Sequence, residues 1–180
     1  MSPMWGYLLA IVALGILGII VEEKSGLLRE GDVAPEFSAR LTNGGIFRLQ
    51  EMKGMKNVVL FFYPGDFTSG CTAQVCAFRD NFSSIAELDA FVVGVSKDSD
   101  DLHQKFIDEY QLPFSLIADT KGTLARSYGV LRLGGLIPIP KRVTYVVDNR
   151  GIVHAVIHHE VSMSQHVKDV IVALKEIEGR

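Results

Sequence analysis

Apolar positions along the chain fall into short β-branched and aromatic runs, separated by stretches with helical spacing. Val58 to Tyr63 is an unbroken run of this kind and predicts a buried strand, ended by Pro64-Gly65. Phe91 to Ser96 predicts a second, and Ser115 to Ala118 a shorter third. Before them, Asn43-Gly44 lies between Phe37-Ser38-Ala39 and Ile46 to Leu49, the signature of a β-hairpin turn. Helices are expected from Cys71 to about Phe82, from the Ser99 cap to about Tyr110, and from Thr120 to Tyr128, with a stop near Gly129. Leu133 to Pro140 reads as an apolar loop rich in glycine and proline. Arg142 to Val147 predicts a strand, Asp148 to Gly151 a turn, and Ile152 to His158 the hairpin partner. Ser162 or Ser164 would cap a last helix running through Ile177. Strands alternating with helices, then a terminal hairpin and helix, imply an α/β three-layer sandwich.

The first 21 residues do not fit that rhythm. Met1 to Val21 contains no charged side chain, and Glu22-Glu23-Lys24 ends it abruptly. At 1.5 Å per residue it would span about 31 Å as a helix, close to a bilayer's hydrocarbon core. Trp5 and Tyr7 stand where an interfacial aromatic belt would lie. A secretory signal would carry a basic start and a small-residue cleavage site, and this segment has neither. The expected organisation is a transmembrane anchor over residues 1–21, a linker over 22–30 and one domain over 31–180. Lys24 and Arg29 follow the segment with no cation before it, which leans toward a cytoplasmic domain, while a signal-anchor orientation that exports the domain stays open. The net charge of −3, without a lysine or arginine run, gives no electrostatic case for nucleic acid.

Candidate chemistry lies between the first two strands and helices. Cys71 and Cys76 are the two cysteines of the 180 residues. Cys71 follows Thr68-Ser69-Gly70 in the first turn of the expected helix, where the helix dipole and free backbone N–H groups favour negative charge. Buried cysteine also serves as a small apolar residue, so composition alone does not decide the matter. On a helix, five residues separate the two by about 7.5 Å of rise. A disulfide needs Cα atoms roughly 4.4–6.8 Å apart, so pairing would require the turn between them to unwind.

Here the chain resembles the peroxiredoxins, through Pro64-x-x-x-Thr68-x-x-Cys71. The second cysteine at Cys76 resembles the Q-type subgroup, the bacterioferritin comigratory proteins. The resemblance covers about Gly31 to the C-terminus, with Ser69 and Gln74 departing from the usual proline and glutamate. It implies a thioredoxin-like fold and thiol-dependent reduction of hydrogen peroxide and organic hydroperoxides. It makes Cys71 the peroxidatic nucleophile, Cys76 the resolving thiol, and Thr68 and Pro64 parts of the peroxide pocket. Arg142 becomes the cation beside the sulfur, and thioredoxin or a similar dithiol the reductant. A monomer or weak dimer without cofactor or metal is expected. Thr68 could equally be an ordinary helix cap.

Two other classes use the same cysteines. A membrane-anchored thioredoxin-like copper chaperone would recruit His154, His158, His159 or His166, but such proteins space their cysteines by three residues rather than four. A redox sensor without turnover would differ in rate and partner alone.

Overall fold

The structure, a computed structural model, describes residues 26–159 and 162–179. The expected anchor at residues 1–21 lies outside them. Among the described residues, no helix is long and apolar enough to cross a membrane.

The chain opens with a hairpin of β1 (Ser38–Arg40) and β2 (Ile46–Arg48), then a single helical turn, α1 (Leu49–Met52). β3 (Asn57–Phe62) follows, and every residue in it is buried. The next elements are α2 (Ser69–Asp80), α3 (Phe82–Ala86), β4 (Ala90–Ser96), α4 (Asp100–Tyr110), β5 (Ser115–Ala118) and α5 (Thr123–Ser127). A small hairpin, β6 (Leu131–Arg132) and β7 (Ile137–Pro140), is joined through a 3-10 turn at Leu133–Gly135. β8 (Val143–Val147), β9 (Val153–Ile157) and α6 (Met163–Glu178) complete the chain.

The central sheet has the order β5-β4-β3-β8-β9. β3 runs parallel to β4 and antiparallel to β8, in a register that sets Val143 opposite Phe62. With strand neighbours on both edges and helices on both faces, β3 cannot alternate polar with apolar residues, hence its continuous apolar run. Its side chains divide by parity between two cores. Val58, Leu60 and Phe62 pack with Leu124, Ala125 and Tyr128 on the side of α5 and the first hairpin. Val59, Phe61 and Tyr63 pack with Val75 and Phe78 of α2, Phe106 of α4 and Val167 and Val170 of α6. Phe61 stacks on Phe78 with ring centroids 4.6 Å apart, which fixes α2 to the sheet. Each such buried side chain contributes roughly 1.5–3 kcal/mol. The result is the α/β three-layer sandwich.

The differences from the sequence expectation are local. The helix expected from Cys71 to Phe82 begins two residues earlier and breaks at Asn81 (φ −111°, ψ 11°), whose side chain donates back to the Ala77 carbonyl at 2.9 Å. The helix placed over Thr120 to Tyr128 occupies just Thr123–Ser127, because Gly122 takes φ +67° and ends the turn before it. The segment Leu133 to Pro140, expected as a loop, forms the 3-10 turn and β7. Leu28, inside the expected linker, is buried in the core.

Candidate active site

β3 delivers the chain to the site. Beyond Phe62 the backbone passes Tyr63, half-buried Pro64 and Gly65, then turns through Phe67 (φ +56°) into α2. A buried cluster holds this turn. Tyr63 donates its hydroxyl to Asp66 Oδ1 at 2.7 Å, and His103 Nδ1 meets Asp66 Oδ2 at 2.7 Å. His103 Nε2 lies 3.2 Å from the Ile117 carbonyl, so both ring nitrogens face acceptor oxygens. The Asp66 backbone N–H donates to Asp98 Oδ2 at 2.7 Å. Burial, reinforced by the neighbouring Asp66 carboxylate, pushes the Tyr63 phenol well above its usual value, so it stays a donor. The turn ahead of Cys71 is thereby tied to α4 and to the end of β4.

Sequence reasoning did not single out His103 or Asp66. One signal was available: His103 lies three residues before Phe106, one helical repeat on the inward face of α4, and both are fully buried.

Cys71 is the third residue of α2 and is fully buried; Cys76 lies further along the same helix and is half-buried, and both are free thiols. Arg142, just before β8, reaches across from the neighbouring strand. Its Nη2 donates to Cys71 Sγ at 3.6 Å and its Nη1 donates to Gln74 Oε1 at 2.6 Å. Gln74 is one turn beyond Cys71 on α2, so the same helix face carries the sulfur and the acceptor that aims the guanidinium. The acceptor is a neutral amide, so nothing in this contact offsets the charge that Arg142 presents to sulfur. Arg142 is 6% exposed, and screening by water there is weak. Gly70 is part of this geometry: a Cβ on it would stand 2.9 Å from Arg142 Nη2.

Thr68 occupies the N-cap position, yet its hydroxyl makes no capping bond and donates instead to the Gly65 carbonyl at 3.2 Å. The ordinary-cap reading of Thr68 therefore fails for its side chain, while its backbone carbonyl accepts from Thr72 N–H at 2.8 Å and starts the helix. Arg79 points away, donating to Asp80 and to the Tyr110 carbonyl.

The His159 and His166 rings lie 5.7 Å apart, but each has its own polar partner. His154 pairs with Glu176, His159 with Asp169, and buried His166 with the Thr144 hydroxyl at 2.6 Å. Burial first, then the nearby His159 and Arg142 charges, push His166 down to about 4. Among the described residues, no three His, Cys, Asp or Glu side chains gather to hold a metal ion.

The arrangement is a buried free thiol in the first turn of a helix, with a buried cation against its sulfur and a polar turn fixed ahead of it. Such a site suits attack by a thiolate on an electrophilic oxygen and stabilisation of the charge on the departing one. Comparison with known proteins agrees. Residues 31–156 match the AhpC/TSA family model. The chain is 38% identical over 145 residues to the peroxiredoxin bcp of Coxiella burnetii, covering 78% of this chain and 95% of that protein. Peroxidoxin BcpB from Mycobacterium tuberculosis has a similar crystal structure, with TM-score 0.76 and 37% identity over 83% of this chain and 98% of that one. The bacterioferritin comigratory protein of Xanthomonas campestris, studied for alkyl peroxide reduction, superposes with TM-score 0.70 and 26% identity over 78% of this chain and 90% of that one. The fold is therefore thioredoxin-like, and the chain belongs to the AhpC/TSA family as a peroxiredoxin of the Q or bacterioferritin comigratory type, a thiol-dependent peroxidase.

Proposed function

We propose that Cys71 is the peroxidatic cysteine and that Cys76 resolves it. The observation that carries this reading is the Arg142 guanidinium, 3.6 Å from Cys71 Sγ and aimed by Gln74. The Cys71 thiolate attacks the terminal oxygen of a hydroperoxide, the O–O bond breaks, and the other oxygen takes a proton and leaves as water or an alcohol. Arg142 stabilises sulfur before attack and the developing oxyanion during it. Thr68 and Pro64 shape the approach, the first with a hydroxyl and the second by excluding water. The product is a Cys71 sulfenic acid. Cys76 then condenses with it, releasing water and forming a disulfide, which requires α2 to unwind between the two residues. An external dithiol of the thioredoxin type restores both thiols by exchange. Hydrogen peroxide and organic hydroperoxides are the substrate class, consistent with the alkyl peroxide chemistry of the Xanthomonas campestris relative.

The uncharged run Met1 to Val21 supports a second part of the reading, a single-pass N-terminal membrane anchor.

The decisive experiment is peroxide consumption by the purified protein with a thioredoxin system. Cys71→Ser should abolish turnover; full activity in that variant would overturn the assignment. Deleting residues 1–21 should release the protein from membranes with turnover intact, and a full-length chain that fractionates without membranes would overturn the anchor.

A further inference from the structure

From Thr120 to Val147 the chain carries Lys121, Arg126, Arg132, Lys141 and Arg142 and no aspartate or glutamate, although the protein as a whole has net charge −3. Arg142 is committed to Cys71; Arg126 and Lys141 adjoin the β6–β7 hairpin. That hairpin holds Leu136 85% exposed and Leu133 67% exposed, with Ile137 and Ile139 exposed beside them. Contiguous exposed apolar side chains with a polar rim mark a contact surface. The rim is cationic: Arg126 Nη1 stands over the tip, 3.3 Å from where a Cβ on Gly135 would be. Lys141 directly follows the second strand.

The place where the chain enters the described domain says what the surface meets. Gly129 adopts φ +66°, and a Cβ on it would lie 1.8 Å from the Gly26 carbonyl oxygen, so the backbones of residues 26 and 129 are in contact. Gly129 is two residues before β6. Val21, the last residue of the uncharged run, precedes Gly26 by five residues, at most about 18 Å of extended chain. The described chain therefore begins at the root of the apolar hairpin. The hairpin's second strand ends at Pro140 and β8 starts with Val143 opposite Phe62, so the hairpin and the Cys71 turn share one end of the sheet.

We propose that the β6–β7 hairpin docks into the headgroup–acyl boundary of an anionic phospholipid bilayer. Leu133, Leu136, Ile137 and Ile139 enter the apolar zone, and Arg126 and Lys141 meet the phosphates. The hairpin is then a second membrane contact beside residues 1–21, and it turns the thiol end of the sheet toward the lipid. A second copy of the chain fits less well, because a two-fold pairing would set the same cationic rim against itself. The proposal rests on the membrane-anchor reading above.

The test uses the full chain with Trp5→Phe, reconstituted in phosphatidylcholine–phosphatidylglycerol vesicles. Leu136→Trp, and separately Leu133→Trp, report from the hairpin. Met55→Trp reports from the opposite end of the sheet, where Met55 is 64% exposed just before β3. Lipids brominated near the headgroup should quench both hairpin indoles at least about three-fold more than the one at position 55, as expected for side chains buried a few ångströms into the boundary. Vesicle-bound protein with equal, water-like quenching at all three positions overturns the hairpin contact and leaves the anchor standing. Protein that does not float with vesicles overturns both. A blue shift of the hairpin indoles that follows protein concentration without lipid assigns the surface to a second copy and overturns the proposal.

Discussion

Gly70→Ala separates helix stability from catalysis. Gly70 is the second residue of α2, and alanine is favoured over glycine in a helix by up to about 1 kcal/mol. Propensity alone therefore makes the substitution neutral or stabilising. The new methyl, however, would lie 2.9 Å from Arg142 Nη2, where ordinary contact begins roughly 0.5 Å further out. The guanidinium cannot swing freely, since its Nη1 is held by Gln74 at 2.6 Å and the side chain is buried. If it retreats from 3.6 Å to about 4.1 Å from sulfur, the attraction falls from about 4.6 to about 4.0 kcal/mol at an effective dielectric constant near 20. Losing the directed N–H to sulfur bond adds roughly 1 kcal/mol. Together these slow Cys71 oxidation by about 3- to 15-fold. Quench-flow with hydrogen peroxide, trapping the sulfenic acid for mass spectrometry, measures that step without the reductant, and urea unfolding measures stability. Wild-type oxidation kinetics in Gly70→Ala, alongside a large loss in Arg142→Ala, would refute the reasoning that this contact tunes the arginine.

Gln74→Glu tests the neutral acceptor: a carboxylate bound to Arg142 would offset the charge facing sulfur, and the oxidation rate should fall about ten-fold, a barrier change of about 1.4 kcal/mol, with the fold unchanged by circular dichroism. Cys76→Ser should leave the first oxidation intact but accumulate Cys71 sulfenic acid and then sulfinic acid, seen by mass; in the wild type, hydrogen exchange from Thr72 to Asp80 should rise on oxidation, and unchanged protection in a confirmed disulfide would show that α2 need not unwind. Asp66→Ala removes the carboxylate that both Tyr63 and His103 meet, leaving His103 Nδ1 just the Tyr63 hydroxyl at 3.5 Å, and should cost about 1–3 kcal/mol in urea unfolding. His166 has a folded pKa of about 4, below its usual 6.5, so the unfolded chain binds the extra proton. Its contribution therefore makes stability fall as pH drops from 6.5 to 4, by up to about 3 kcal/mol, and His166→Leu should flatten that part of the curve relative to wild type.

The sequence by itself determined the elements whose signals are local. β3 showed as a continuous apolar run because a central strand buried on both faces needs no polar alternation. Ser99 starts α4 as a side-chain cap, accepting from Leu102 N–H, and β5 spans the four residues expected of it. Cys71 at a helix start was readable because Pro64, Gly65 and the helix pattern are short-range features. The family resemblance named Arg142 as the cation, but the residues' own short-range pattern did not, and the contact itself is made by the tertiary structure. Arg142 is 71 positions away and reaches the sulfur because β8 lies antiparallel to β3 with Val143 opposite Phe62, a pairing that no local pattern encodes. His103 and Asp66 meet across 37 positions for the same reason: α4 must first pack on the sheet before its buried histidine finds the turn. The β6–β7 hairpin was also hidden. Pro138 and Pro140 lack the N–H groups that a strand ladder uses, so the segment reads as loop, and pairing at Leu131–Pro140 and Arg132–Ile137 suffices to fold it back. Short-range chemistry placed the Cys71 thiol at its helix start, and long-range sheet register brought Arg142 to it and built the network that holds its turn.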